Sequence, residues 1–278
     1  MTDADPARTD ADPSQIMQFL WIDTGEAHLA TSIDLPRTPR PWPVAVLVHG
    51  LSGDRIGRSY HFVEFGRRLA ASGVACVRFD HAGCGESTGD QTLLSMRTVE
   101  RDCLAVAEYL DRDDRFDVNR FGVVGSSFGA LGALMMAARR SARGLLLWAP
   151  VCDLPGMTRR AAQQTSARQS IESVGYAPFK GLRLGPTYFE HIDHLDPAMH
   201  LKTYRGPVFI AHAREDQAVP ISESHRYVEL CRAEDVPCEL LDFEGATHDF
   251  HEEPLRSRLL HESIDRMCRW LGMQESVA

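Results

Sequence analysis

The chain has 278 residues, 44% hydrophobic and 25% charged, with a formal net charge of −9. That is the composition of a globular protein long enough to bury a sizeable core. The acidic balance excludes a general nucleic-acid binder, which needs clustered Lys and Arg to neutralise phosphates. The seven cysteines are scattered and never form a C-x-x-C pair. Neither a disulfide framework nor a zinc site is therefore expected, and reduced thiols fit a cytoplasmic chain. No apolar run approaches the ~18 residues a membrane span needs.

The opening stretch, "MTDADPARTDADPSQ", is acidic and contains Asp-Pro twice. It lacks the basic and apolar regions of a signal peptide and is expected to be a disordered leader over residues 1–14. Met17–Asp23 and Ala27–Asp34 flank "TGE" and predict a β-hairpin. "VAVLVHG" (Val44–Gly50) is a continuous apolar run, the pattern of a strand buried on both faces. A helix near Tyr60–Ser72 follows, then a strand at Val74–Asp80 and a helix over Met96–Leu110. Arg120–Gly125 predicts a strand, Phe128–Arg140 a helix and Gly144–Pro150 a strand. Periodicity weakens between residues 151 and 200. It resumes with a strand at Pro207–Ala213, a helix near Ser222–Glu234, a strand at Cys238–Phe243 and a helix near Pro254–Leu271. Alternating apolar strands and amphipathic helices predict an α/β class, a mostly parallel twisted sheet with helices on both faces. Residues 15–150 and 201–273 would form the core. Residues 151–200 are too long for a plain connection and should form an inserted lid.

"GSSFG" (Gly125–Gly129) lies between a predicted strand and a predicted helix. Ser127 is the third residue of G-x-S-x-G, the pattern of a strained turn that exposes a nucleophile at the sheet edge. Ser126 fails that spacing. Taken alone, the five residues fit a serine helix cap equally well. A serine nucleophile needs a base, and the base needs an orienting carboxylate. In such a sheet the partners should follow later strands at their carboxyl ends. Asp216 stands three residues beyond "PVFIAHA" and His248 five beyond "CELLDF". The order Ser127, Asp216, His248 fits. Glu215, Asp242 and His251 are nearby rivals. The oxyanion hole should use the backbone N–H groups of Phe128 and Leu51, with His49 bonding within the "HGLSGD" loop. "FDHAGCGES" (Phe79–Ser87) matches no phosphate-binding motif and should shape the floor of the site.

The segments "VHGLSGD", "FDHAGCGES", "GSSFG", "REDQAVP" and "GATHDF", in this order, resemble the α/β-hydrolase superfamily across about Gln15 to Gly272. Within it, "FVEFGRRLAASGVACVRFDHAGCGES" and the short insert are similar to the feruloyl and cinnamoyl esterase group. A leucine stands at position 51, where that group often has an aromatic. The resemblance implies an α/β-hydrolase fold and a serine esterase acting on small carboxylic esters through an acyl-enzyme. It implies no cofactor and no metal. The same triad also serves thioesterases, small amidases or peptidases and C–C hydrolases, and a non-catalytic hydrolase-fold receptor is the reading from another class.

Much of the insert is polar ("TRRAAQQTSARQS"), unlike a lipase lid, so a soluble small-molecule ester is expected rather than a membrane surface. Met157, Tyr176, Phe179, Tyr188 and Phe189 are candidate substrate-binding walls. From Pro155 to Phe189 there are five basic residues (Arg159, Arg160, Arg168, Lys180, Arg183) against one acidic residue, Glu172. A preference for anionic substrates would use them. A homodimer is compatible with all of these features.

Overall fold

The computed structural model describes residues 16–162, 165–190 and 196–273; the expected leader lies outside them. The described chain begins with an antiparallel pair, β1 (Ile16–Asp23) and β2 (His28–Leu35). Their turn closes where the Thr24 N–H donates to the Ala27 carbonyl at 2.9 Å. Then follow β3 (Trp42–Val48), α1 (His61–Ala71), β4 (Ala75–Phe79), α2 (Met96–Arg112), β5 (Phe116–Ser126), α3 (Gly129–Arg140) and β6 (Gly144–Trp148). After β6 come α4 (Leu154–Ala162), α5 (Thr165–Val174), a small hairpin of β7 (Ala177–Phe179) and β8 (Leu182–Leu184), α6 (Pro186–Glu190) and α7 (Pro197–Leu201). The chain returns to the sheet with β9 (Val208–Ala213), α8 (Ser222–Ala233), β10 (Cys238–Phe243) and α9 (Leu255–Trp270).

Among the described residues, eight strands form one sheet in the order β1-β2-β4-β3-β5-β6-β9-β10. The β1/β2 and β2/β4 pairs are antiparallel and the other five are parallel. Every residue of β3 is buried because helices cover both faces of the sheet. Val44, Val46 and Val48 share one apolar cluster with Val99 of α2, Leu131 of α3 and Tyr227 of α8. Ala45 and Leu47, pointing the other way, share the second cluster with Phe62 and Phe65 of α1 and Leu259 of α9. The period-two alternation of a strand thus feeds two cores at once.

β5 starts earlier than the apolar pattern predicts. Trp42 pairs with Phe116 and Pro43 with Asp117, then the register jumps so that Val44 pairs with Phe121. Within the irregular stretch Val118 packs against the core while Asn119 and Arg120 are polar, and Arg120 donates to Asp117 at 2.7 Å. The alternation of Phe116 and Val118 with Asp117 and Asn119 breaks at Arg120, so it does not run on into the apolar stretch that begins at Phe121.

The segment after β6 splits in two. α4, α5, β7, β8 and α6 gather near the carboxyl ends of the strands, whereas α7 packs on α3 and α8. All seven cysteines are free thiols. Among the described residues, no helix is long and apolar enough to cross a membrane.

Candidate active site

Ser127 follows β5 directly, with a φ of 54°. That left-handed value strains a residue carrying a Cβ, at a cost of order 1–3 kcal/mol. The backbone is held there by neighbours on three sides. The Ser127 N–H donates to the Trp148 carbonyl at 2.8 Å, and its carbonyl accepts from Ala130 and Val151, both at 3.1 Å. The two motif glycines permit the turn. A Cβ at Gly129 would lie 2.4 Å from the carbonyl oxygens of Val48 and His49, and one at Gly125 would lie 2.6 Å from Ala133 Cβ.

The turn brings Ser127 Oγ to 3.1 Å from His248 Nε2, and His248 Nδ1 to 2.6 Å from Asp216 Oδ2. A carboxylate only accepts, so Nδ1 carries the hydrogen and Nε2 is left to accept from the serine hydroxyl. The Ala218 and Val219 N–H groups donate to Asp216 Oδ1 at 2.7 and 2.9 Å. Burial raises the Asp216 pKa. Hydrogen bonds from His212 and then His248, with the charge of His248 and the Val219 N–H, outweigh it and hold the carboxyl well below the usual range.

The rival residues are engaged elsewhere. Glu215 accepts from the Gly245 N–H at 3.1 Å, Asp242 from Arg214 at 2.8 Å, and His251 meets Thr247 Oγ1 at 3.0 Å. Ser126 shares the cavity with Ser127 but ends β5 without the left-handed turn.

Phe128 is the N-cap residue just before α3, and Leu51 lies on the loop after β3. Among the described residues, neither backbone N–H donates to a protein acceptor. The Gly50 carbonyl accepts from His49 Nδ1 at 2.8 Å and from the Gly53 N–H at 3.0 Å. Gly50 C=O and Leu51 N–H share one planar trans peptide, so fixing the carbonyl aims the amide the opposite way. His49 Nε2 accepts from the His81 N–H at 3.0 Å. His49 is therefore a brace within its loop.

The Phe79–Ser87 turn contributes no residue to the cavity and is not its floor. It is a second brace. Asp80, fully buried, accepts from the Arg55 N–H and Nη1, both at 2.5 Å, and so ties this turn to the loop carrying Leu51. The distinction turns on side-chain direction, which the glycine-rich sequence does not carry.

Ser127, His248, Leu51 and Phe128 open onto a cavity of about 630 Å³. Met157, Phe179, Tyr188 and Phe189 line it; Tyr176 does not and sits instead under the Arg183 guanidinium, 5.9 Å from the ring centroid. Tyr188 is buried, 6.2 Å from the Phe128 ring, and burial pushes its phenol up to about 12. A wider groove of about 1080 Å³ lies between β1 and α1 beside Phe19, Trp21 and Arg67, with none of the Ser127 group in its walls.

Of the five basic residues of the insert, Lys180 alone among those whose side chains are described lines the cavity. Its Nζ lies 5.7 Å from the Phe179 ring centroid. Arg168 pairs with Glu172 at 3.4 Å, an exposed pair, and the Arg160 side chain lies outside the described part. Arg58, another cavity residue, pairs with Asp249 at 3.2 Å.

Residues beyond the sequence reading also build the site. Glu223, buried at the start of α8, accepts from the N–H groups of Cys152 and Asp153 at 2.9 and 2.6 Å and so anchors the root of the insert. His212 and Ser224 lie behind Asp216. A histidine inside the apolar run "VFIAHA" was the available signal.

Comparison with known proteins agrees with this architecture. Residues 45–257 match the model of the alpha/beta hydrolase family. The quorum-quenching protein AidA of Acinetobacter baumannii is 33% identical over 118 residues, covering 42% of this chain and 38% of that protein. Esterase EstD of Thermotoga maritima is 32% identical over 273 residues, covering 87% of this chain and 65% of EstD. The chain thus spans less than two thirds of either relative. Est1E of Butyrivibrio proteoclasticus, solved with ferulic acid bound, superposes with a TM-score of 0.74 at 21% identity, over 91% of this chain and 99% of that one. At that identity the likeness is one of fold. With a matching model spanning most of its length and an α/β-hydrolase sheet, the chain belongs to the alpha/beta hydrolase family.

Proposed function

We propose that the protein is a serine hydrolase that cleaves small carboxylic esters through an acyl-enzyme. The observation that carries this reading is the hydrogen-bond chain from Ser127 Oγ through His248 to Asp216, at 3.1 and 2.6 Å, opening onto a cavity of ester size.

In the first step Ser127 Oγ attacks the ester carbonyl while His248 Nε2 takes its proton. Asp216 holds the Nδ1–H tautomer and stabilises the imidazolium that forms. The N–H groups of Leu51 and Phe128 receive the oxyanion, each contributing about 3–4 kcal/mol to the transition state. The C–O bond to the alcohol then breaks, and His248 returns the proton to the leaving oxygen. Water, deprotonated by the same nitrogen, attacks the acyl-enzyme, and the acid leaves as Ser127 recovers its proton.

The stretch from α4 to α6 acts as a cover over the nucleophile. Phe179, Tyr188 and Phe189 give it flat apolar walls, which favour an aromatic acyl group. The likeness of fold to Est1E, a protein seen with ferulic acid, and the similarity to EstD, an esterase by name, support the same class. The test is Ser127→Ala with p-nitrophenyl acetate. The variant should remain folded and lose turnover; wild-type turnover in the variant rules the reading out.

A further inference from the structure

A histidine inside a buried parallel strand needs a reason, because burying a polar ring is costly unless every nitrogen is bonded. His212, on β9, is completely buried. Its Nδ1 meets Ser224 Oγ at 2.5 Å. Its Nε2 lies 2.9 Å from the Val219 carbonyl and 3.3 Å from Asp216 Oδ2. Both of those oxygens only accept, so Nε2 carries the hydrogen and shares it between them. Ser224 is equally buried, in the first turn of α8.

Asp216 Oδ2 thus meets two imidazole N–H groups, one from His248 and one from His212. A carboxylate free to turn about its Cβ–Cγ bond would present either oxygen at a broad range of angles. Here Oδ1 is held by the Ala218 and Val219 amides and Oδ2 by His212 before His248 is considered. The bond from His212 to the Val219 carbonyl also closes the loop that carries those amides.

We infer that His212 is a positioning residue for the hydrolytic reaction. Its Nε2–H, braced from behind by Ser224, fixes the Asp216 carboxylate in the orientation that grips His248. This inference rests on the proposed Ser127 chemistry. It goes beyond that reading because His212 touches neither Ser127 nor His248 and acts only through Asp216. The arrangement has an opposing side. A donor on Oδ2 draws charge from the oxygen facing His248, so His212 secures the geometry while moderating the carboxylate's pull on the imidazolium.

The test compares His212→Leu, which removes the donor, with His212→Gln, whose amide N–H can reach the same oxygens. Rates are expressed per active site titrated with a fluorophosphonate, so misfolded molecules do not count. In His212→Leu, kcat should fall about tenfold, as for loss of one charge-assisted hydrogen bond, with KM within about twofold. The acid limb of kcat/KM should move to higher pH, because a carboxylate relieved of one donor holds the imidazolium more strongly. His212→Gln should recover most of the rate and the wild-type limb. A purely structural histidine would lower the number of titratable sites and leave both rate and limb unchanged per site. That result for His212→Leu, or a Gln variant as impaired as the Leu variant, overturns the inference. Should the Leu variant not fold, Ser224→Ala decides. It should lose several-fold in kcat with the limb moved in the same direction, and an unchanged profile overturns the inference. Wild-type protein that neither titrates nor turns over overturns the hydrolase reading itself, and is distinguished by being measured first.

Discussion

Asp216 Oδ2 lies 2.6 Å from His248 Nδ1, and the same carboxylate is gripped on its other oxygen by two backbone amides. An isosteric amide cannot replace it. Asn at this position would present a donor or a neutral acceptor to Nδ1 and favour the wrong imidazole tautomer. Asp216→Asn should lower kcat by about 10⁴ with a small change in KM. Steady-state kinetics on a p-nitrophenyl ester measure it, and a loss smaller than tenfold would assign the orienting role to another group.

His49 makes a prediction about acid stability. Burial, with His81 beside it, pushes the imidazole down to about 3, from an ordinary value of 6.5. The unfolded chain therefore takes up a proton near 6.5 that the folded chain refuses. The contribution is fully present above pH 6.5 and is lost as pH falls toward 3. In that window the unfolding free energy should drop by up to roughly 1.4 kcal/mol per pH unit from this residue. Urea melts between pH 7 and pH 4.5 should show a steeper fall in wild type than in His49→Asn. Equal slopes contradict the assignment.

Gly129 predicts a packing effect. The Val48 and His49 carbonyls leave no room for a Cβ, and these atoms belong to backbone that cannot swing aside. Gly129→Ala should destabilise the fold by about 1–3 kcal/mol and displace Ser127, so activity should fall further than stability. Urea unfolding and kcat measured on the folded protein separate the two. An unchanged midpoint with full activity contradicts the close approach.

Lys180 predicts selectivity. It carries its charge to the cavity beside Phe179, while Arg58 is already paired with Asp249. A substrate bearing a carboxylate remote from the ester should gain up to ~1 kcal/mol from it, an exposed ion pair. Lys180→Met should then lower kcat/KM about fivefold for that ester and leave a matched neutral ester unchanged. Equal effects on the two esters would make Lys180 a packing residue only.

The parts legible in the sequence were those where chemistry needs a fixed residue at a fixed spacing. Gly125, Ser127 and Gly129 announce the turn because only small residues permit the strand and helix to meet. Asp216 and His248 could be named because they follow apolar strands whose carboxyl ends must converge in a parallel sheet. What stayed hidden depends on which way a side chain points. Tyr176 is as aromatic as Tyr188, yet it faces Arg183 rather than the cavity. The Phe79–Ser87 turn braces the neighbouring loop through Asp80, a role that glycine content does not reveal. His212 gains its partners only when the Val219 loop and α8 fold back over β9.

The most direct measurement is fluorophosphonate labelling of the wild-type protein with the modified residue located by peptide mass spectrometry. Covalent reaction requires an activated nucleophile, so it tests Ser127, His248 and Asp216 together without knowledge of the natural ester. The expected result is one adduct per chain on Ser127, absent in Ser127→Ala and strongly slowed in His248→Ala. No adduct on the folded protein, or an adduct on a different residue with Ser127 unmodified, would contradict the serine hydrolase assignment.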